Sequence, residues 1–536
     1  MQTLTLAFRA AAILGLAALT LPAQTDAGLP HLERTGAAVR LIVDGSPFLA
    51  LGGELHNSSS SSLEYMAPIW GKLVALHLNT VITPLSWELV EPSEGHFDFT
   101  LVDGLIQGAR LHGLRVIFLW FGSWKNGVST YVPIWVKADS SRFPRAHDGN
   151  GKALEILSTL SDAARDADAR AYAALMRHIR EVDGRDHTVL IMQVENEVGV
   201  LGDSRDRSAV ANQAFNGPVP RGLMDYLTEH KNTLIPELRK IWDDAGGKTS
   251  GSWLEVFGKG PHTDEIFMGW NYARYVGAVA AAGKVEYPIP MYVNAWLEQP
   301  FSPNPGQYPS GGPQPRLIDV WRAAAPAIDF YSPDIYVPNF AEVCAGYHRG
   351  GNPLFIPEAV RDQAGADNPF YAFGQEDAIG YSPFAIDSLP DGDTPLAASY
   401  ALLAQIAPLI LDHQAAGTAA GVLLDKKHDQ QKRHMGGYTI DLALPGRNGP
   451  SADHGAGLIL QLGPDEFLVA GRSLVASFAA DGGAETGLAS VEEGQFVNGR
   501  WVPGRRLNGD EILSGKGVLL PAERYHMARV RLYRYR

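Results

Sequence analysis

Residues Val189 to Gly199 read Val-Leu-Ile-Met-Gln-Val-Glu-Asn-Glu-Val-Gly, an aliphatic run that stops abruptly at adjacent polar residues. A short β-branched and aliphatic run without alternation suits a parallel strand covered on both faces, which requires helices packed on a parallel sheet. Glu195, Asn196 and Glu197 then leave the strand at the end where a (β/α) barrel carries its chemistry. On residue types alone, the same carboxylates also suit a capping role at a strand-to-helix turn.

A second stretch of this kind is Asn352 to Val360, Asn-Pro-Leu-Phe-Ile-Pro-Glu-Ala-Val, which presents Glu358 at its carboxyl end. Cleaving a glycosidic bond takes a proton donor for the leaving oxygen and a second carboxylate at the anomeric centre. Two strand-end glutamates far apart in sequence can supply both. The segment Gln193-Val-Glu-Asn-Glu-Val-Gly199 resembles the Gln-Val-Glu-Asn-Glu-Tyr-Gly signature of glycoside hydrolase family 35, the β-galactosidases within the large clan of (β/α)8 retaining glycosidases. Trp87 to Phe99 is similar to that family's Trp-x-x-x-Glu-Pro-x-x-Gly-x-x-Asp-Phe segment, with Trp87 and Glu91 as scaffold.

The resemblance implies a catalytic pair, Glu197 as acid/base at the end of strand 4 and Glu358 as nucleophile at the end of strand 7. It further implies Asn196 on the sugar 2-hydroxyl and Tyr336, ending the strand Ala327 to Tyr336, steadying the nucleophile. His56, at the end of strand 1, matches the family and is a candidate substrate contact, but Asn57 and Ser58 depart from the pattern. Gly122-Ser123-Trp124-Lys125 also departs from the family's Ala-Glu-Trp-Asn, so sugar recognition is expected to differ there. Trp120, Phe121, Trp124, Tyr131 and Trp135 read as an aromatic loop after strand 3. Aromatic faces stack on pyranose rings, which makes Trp124 a candidate substrate contact; packing of the loop onto the barrel is the equal alternative.

The fold class expected is α/β, a (β/α)8 TIM barrel over residues 30–416 with a C-terminal all-β domain over residues 417–536. The all-β segment reads as a lid over one barrel face rather than a carbohydrate-binding module, because no solvent-facing aromatic row is legible in it. The insertion Asp203 to Arg221 would shape the catalytic face beyond the first sugar. Residues 1–27 read as a secretory signal peptide, with Arg9 ahead of the apolar run Ala10 to Leu21 and small residues after it. A secreted or periplasmic destination follows, with no stable membrane insertion, since no later segment reads as long and apolar enough to span.

A formal net charge of −14 and the lack of a Lys/Arg cluster exclude nucleic acid as a partner. Cys344 is the only cysteine and reads as a small buried hydrophobe. His428 and His434 lack metal-ligand spacing, so neither a metal nor a cofactor is expected. The partner expected is a carbohydrate. The function read from the sequence is a retaining exo-β-galactosidase acting on plant cell-wall oligosaccharides such as xyloglucan. An endo-acting mannanase or glucanase of the same clan, and a catalytically dead sugar-binding protein, are the alternatives.

Overall fold

The computed structural model describes residues 28–446 and 453–536; the signal segment expected over residues 1–27 lies outside them. Eight parallel strands close into a barrel. In order they are Ala50–Leu51, Thr80–Ser86, Arg115–Lys125, Val189–Asn196, Met291–Trp296, Phe330–Ile335, the broken seventh strand Phe355–Ile356 and Glu358–Ala359, and Gly380–Tyr381. Closure is made on both sides of the first strand. Ala50 pairs with Gly380 of the eighth strand, and Glu54, just beyond the first strand, bridges to Ile82 of the second.

The strands are buried along nearly their whole length, as their unbroken apolar runs require. Leu41 and Val43, from a hairpin that turns at Asp44-Gly45, plug the amino-terminal end against Ile117, Leu190 and Phe355. Outer helices include Thr100–Leu111, Asp162–Asp183, Pro261–Glu286, Gln363–Gln375 and Pro395–His413. Between the first and second strands, Pro68 separates two short helices, Leu63–Met66 and Ile69–Ala75. The insertion after the fourth strand folds as short helices, Ala209–Asn216, Arg221–Glu229, Pro236–Asp244 and Trp253–Phe257.

Helix Pro395–His413 corrects one expectation: with a mean hydropathy of 1.4 it is long and apolar enough to cross a membrane. Here it is the eighth barrel helix, with Leu396, Tyr400, Leu403, Ile406 and Ile410 turned into the core.

From Ala419 the chain forms two antiparallel sheets packed face to face. One runs in the order Ala419–Asp425, His454–Gly463, Glu466–Arg472, His526–Tyr535, Glu485–Val497, Arg500–Leu507; the other is Gln430–Met435, Tyr438–Ala443, Leu474–Ala480, Val518–Leu520. Val422, Ile440, Phe467 and Val469 fill the space between them. This unit covers one side of the barrel. It docks on the flank of the barrel, against helices Gln363–Gln375 and Pro395–His413. A Cβ on Gly374 would come within 2.1 Å of Leu458, so only glycine allows that approach.

Leu458, Leu460, Leu468 and Met527 belong to the same apolar core as the barrel helices. Buried Asp367 accepts from Arg472 at 2.9 Å and from the Tyr525 hydroxyl at 2.6 Å. Removing one partner of a buried ion pair strands the other. Arg472→Met is therefore expected to lower stability by about 2–4 kcal/mol, read as an earlier midpoint in urea unfolding, with turnover at 25 °C unaffected.

Candidate active site

The geometry starts from a distortion in the third strand. Trp120 pairs with Val194 and Lys125 with Asn196, so Phe121 to Trp124 bulge out between two register positions. The bulge is held by Glu195, whose carboxylate accepts from the backbone N–H of Ser123 (3.0 Å) and Trp124 (2.8 Å). Gly122 permits it, because a Cβ there would meet Glu195 Oε1 at 2.6 Å. Asp168 backs the arrangement by accepting from the Trp120 indole and the Ser123 hydroxyl. Burial and their mutual proximity push Glu195 well above the usual carboxylate range. Glu195 thus faces away from the catalytic mouth and acts as a brace.

The result of the bulge is that Lys125 swings inward, where its ammonium donates to Asn196 Oδ1 at 3.0 Å. Asn196 passes the contact on, donating from Nδ2 to Glu358 Oε1 at 3.3 Å, while the Tyr336 hydroxyl donates to Glu358 Oε2 at 2.7 Å. Glu195 and Glu197 both lie in the left-handed region (φ 64° and 46°), a strained conformation for non-glycine residues. That strain turns successive side chains of the motif to different sides. The Glu197 N–H is tied to Asn294 Oδ1 (2.9 Å) on the fifth strand, and Asn294 Nδ2 donates to Asp334 Oδ2 (2.7 Å) on the sixth.

Glu197, Asp334 and Glu358 each bring a carboxylate oxygen within 4.8 Å of the others, and all three are buried. Among the described residues no other group of three such donors is as close. By distance the trio could grip a hard cation. The hydrogen bonds already sent into Glu358 by Tyr336 and Asn196, and into Asp334 by Asn294, occupy oxygens that would have to turn to it.

Burial is the largest cause of the shift at Glu197, and the Glu358 carboxylate adds to it; Lys125 and Asp334 oppose them, leaving Glu197 at about 7. Asp334 is pushed well above the carboxylate range by burial and by Glu358 and Glu197. Glu54 is raised likewise, and neither of its buried carboxyl oxygens meets a donor.

Of the residues singled out from sequence, Glu197, Glu358, Asn196 and Tyr336 come together. His56 stands at the rim, 46% exposed, held by Asp387 and Ser388. Trp124 does not reach the site. It is fully buried behind the bulge, its indole donating to the Leu157 carbonyl and its ring edge-on to Tyr272 and Tyr275. The third strand runs on through Lys125, so Trp120 and Phe121 are core residues too, and Trp135 packs on Trp87 and Phe143. Sequence reasoning misses Glu54, Lys125, Asn294 and Asp334. Their signal is a lone polar residue in or beside an otherwise apolar strand.

Two sequence families match the chain. Residues 70–264, which carry Glu197 and the strands around it, match glycoside hydrolase family 42, described as "Beta-galactosidase". That family is one of glycoside hydrolases. The match is to family 42 rather than family 35, which corrects the family suggested by the Glu-Asn-Glu motif. The departures at Asn57, Ser58 and Gly122 to Lys125, where family 35 keeps its sugar contacts, fit that correction. Residues 396–519 match a domain of unknown function, DUF5597.

A β-galactosidase of Xanthomonas manihotis is 30% identical over 195 residues, which is 35% of this chain and 30% of that protein. The match thus spans about a third of that relative's length. Among solved structures, the catalytic domain of a β-amylase from Paenibacillus polymyxa aligns with a TM-score of 0.43 at 14% identity, over 64% of this chain and 93% of its own. A β-galactosidase from the psychrophilic Marinomonas ef1 aligns with a TM-score of 0.43 at 13% identity, over 68% and 60%.

Proposed function

We propose that this protein is a retaining exo-β-galactosidase in which Glu197 is the acid/base and Glu358 the nucleophile. The observation that carries the reading is the pairing of Glu197, held at about 7, with a second buried glutamate whose oxygen lies within 4.8 Å. Retaining enzymes keep their carboxyls about 5–5.5 Å apart for direct attack, whereas inverting ones leave about 6.5–9.5 Å for a water. In the first half-reaction the Glu197 carboxyl gives its proton to the glycosidic oxygen as a Glu358 oxygen bonds to the anomeric carbon and the aglycone leaves as an alcohol. In the second, the Glu197 carboxylate takes a proton from water, whose oxygen displaces Glu358. Asn196, fixed by Lys125, meets the sugar 2-hydroxyl. The sequence matches to β-galactosidases support galactose as the terminal sugar.

The substrate is proposed to be a galactose-capped plant cell-wall oligosaccharide such as xyloglucan, met outside the cell by virtue of the signal-like run Ala10 to Leu21. The aromatic stretch Trp120 to Trp135 no longer supports an extended substrate, because those rings pack inward. What supports it is the insertion after the fourth strand, where Val200 pairs with Ser310 to wall the face beside Glu197. Proton NMR of a galactoside digest is expected to show β-galactose first, and α-galactose first would overturn the retaining reading. On the same enzyme, kcat/KM for a galactosylated xyloglucan oligosaccharide is expected to exceed that for lactose by about tenfold, equivalent to about 1.4 kcal/mol of remote binding. Equal values would remove xyloglucan and leave the galactosidase.

A further inference from the structure

Asp334 is not used by the two-glutamate scheme, yet it brings a carboxyl oxygen within 4.8 Å of both glutamates. It ends the sixth strand in register with Glu358 on the seventh, and its side chain is 3% exposed. Its Oδ2 accepts from Asn294, the same amide that holds the Glu197 N–H, so one side chain fixes the relative position of both acids. Its Oδ1 is buried and meets no hydrogen-bond donor, and a carboxyl oxygen of Glu197 lies within 4.8 Å of one of its own. Two carboxyls can bond to each other only through a proton, since two carboxylates offer acceptors alone.

We propose that Asp334 is a neutral carboxylic acid whose hydroxyl donates to Glu197, so that the acid/base is a hydrogen-bonded carboxyl pair rather than a single glutamate. Asp334 acts through Glu197 and is a positioning residue. It keeps its proton through the cycle. In the first half-reaction the outward Glu197 oxygen gives its proton to the glycosidic oxygen while the inward one accepts from Asp334. In the second, the Asp334 hydroxyl steadies the Glu197 carboxylate as that group takes a proton from water.

The sign of the effect distinguishes this from an ionised Asp334. A donor to a carboxylate favours its charged form, whereas a neighbouring anion disfavours it. The other groups facing Glu197 are Glu358 from the seventh strand, Lys125 from the third and Glu54, as a weaker neighbour, from beyond the first. The buried Tyr292 phenol faces Glu54, Asp334 and Glu358 from the fifth strand. All of these stay in place when only position 334 is changed. Burial drives the high proton affinity of Asp334 and agrees with its neutral form.

The inference rests on the acid/base role of Glu197, and the test separates the two. The pH profile of kcat/KM is measured on an aryl β-galactoside for the full-length wild type, Asp334→Leu and Asp334→Asn. Asp334→Leu removes the donor, so the basic limb is expected to move up by about one pH unit, and kcat on a dinitrophenyl galactoside, where the second half-reaction limits, to fall more than kcat/KM. Asp334→Asn can accept from Asn294 and donate to Glu197 without titrating, so its basic limb is expected within a few tenths of wild type even with slower turnover. A downward move of the limb in either variant would mean that an anion had been removed, and overturns the proposal. If Asp334→Leu does not fold, the Asp334→Asn limb alone decides. A Glu197→Gln enzyme that kept its basic limb would instead remove the acid/base assignment itself.

Discussion

Glu358→Ala is expected to lose turnover by several orders of magnitude, about 10⁵-fold, while the barrel stays folded. The expectation follows from the nucleophile role proposed for Glu358 and from how little else can fill it. Its oxygens are aimed by Tyr336 and Asn196 from opposite sides. No other carboxyl of the site is bonded to both. Truncation to alanine leaves a carboxylate-sized space below the anomeric carbon, which a small anion can enter. Added azide is expected to restore part of the rate and to give an α-configured galactosyl azide. Near-normal turnover in a folded variant, or azide without effect on an aryl galactoside, would point to another nucleophile.

The second large effect is expected at Glu197, and its size depends on the leaving group. Glu197→Ala removes the proton donor, which general acid–base catalysis typically makes worth about 10²–10⁴-fold. For an alkyl or sugar aglycone the loss falls fully on kcat/KM. For a dinitrophenolate, which departs without a proton, kcat/KM is expected to stay within about tenfold of wild type while kcat falls and KM falls with it, as the glycosyl-enzyme accumulates. In the wild type, kcat/KM needs Glu197 protonated and is expected to decline as pH rises through about 7. The variant loses that limb. A uniform loss across leaving groups would argue that Glu197 is structural. The pH readout at Asp334 acquires meaning only once this pattern is seen.

The strand ends were legible because two apolar runs each terminate in a carboxylate and the Glu-Asn-Glu segment carries a family resemblance. On residue types alone such carboxylates also suit capping, and it is the pairing that singles out Glu197 and Glu358. The middle of the site was not legible. Asn294 lies inside Met291–Trp296 and Asp334 inside Phe330–Ile335, each a single polar residue in a buried strand. A lone polar residue of that kind is also common in ordinary cores, where it bonds the backbone. What identifies these two is their mutual bond across neighbouring strands, a long-range fact. The aromatic stretch failed for a related reason. Gly122 looks like a strand terminator, which places Trp124 in a loop. In the structure the glycine admits a bulge instead, and the strand resumes to deliver Lys125. Glu195, in the middle of the most recognisable motif, reads as catalytic by company and is a brace by geometry. In the C-terminal unit, strands such as Gln430–Met435 and Arg500–Leu507 carry mostly polar, exposed residues and left no apolar alternation to follow.

The helix Pro395–His413 and the sheet that covers it have an implication for how the protein is made. The helix leaves the ribosome when the eight strands have just been completed, but the covering strands His454–Gly463 and Glu485–Val497 follow later. At about 5–20 residues per second, an apolar segment long enough to suit a bilayer waits uncovered on the newborn chain for on the order of ten seconds. Closing the first strand onto the eighth cannot by itself hide the helix's outer surface. The nascent barrel therefore has an interval of exposed apolar surface set by its chain order, which ends only when the C-terminal strands are made and cover the helix.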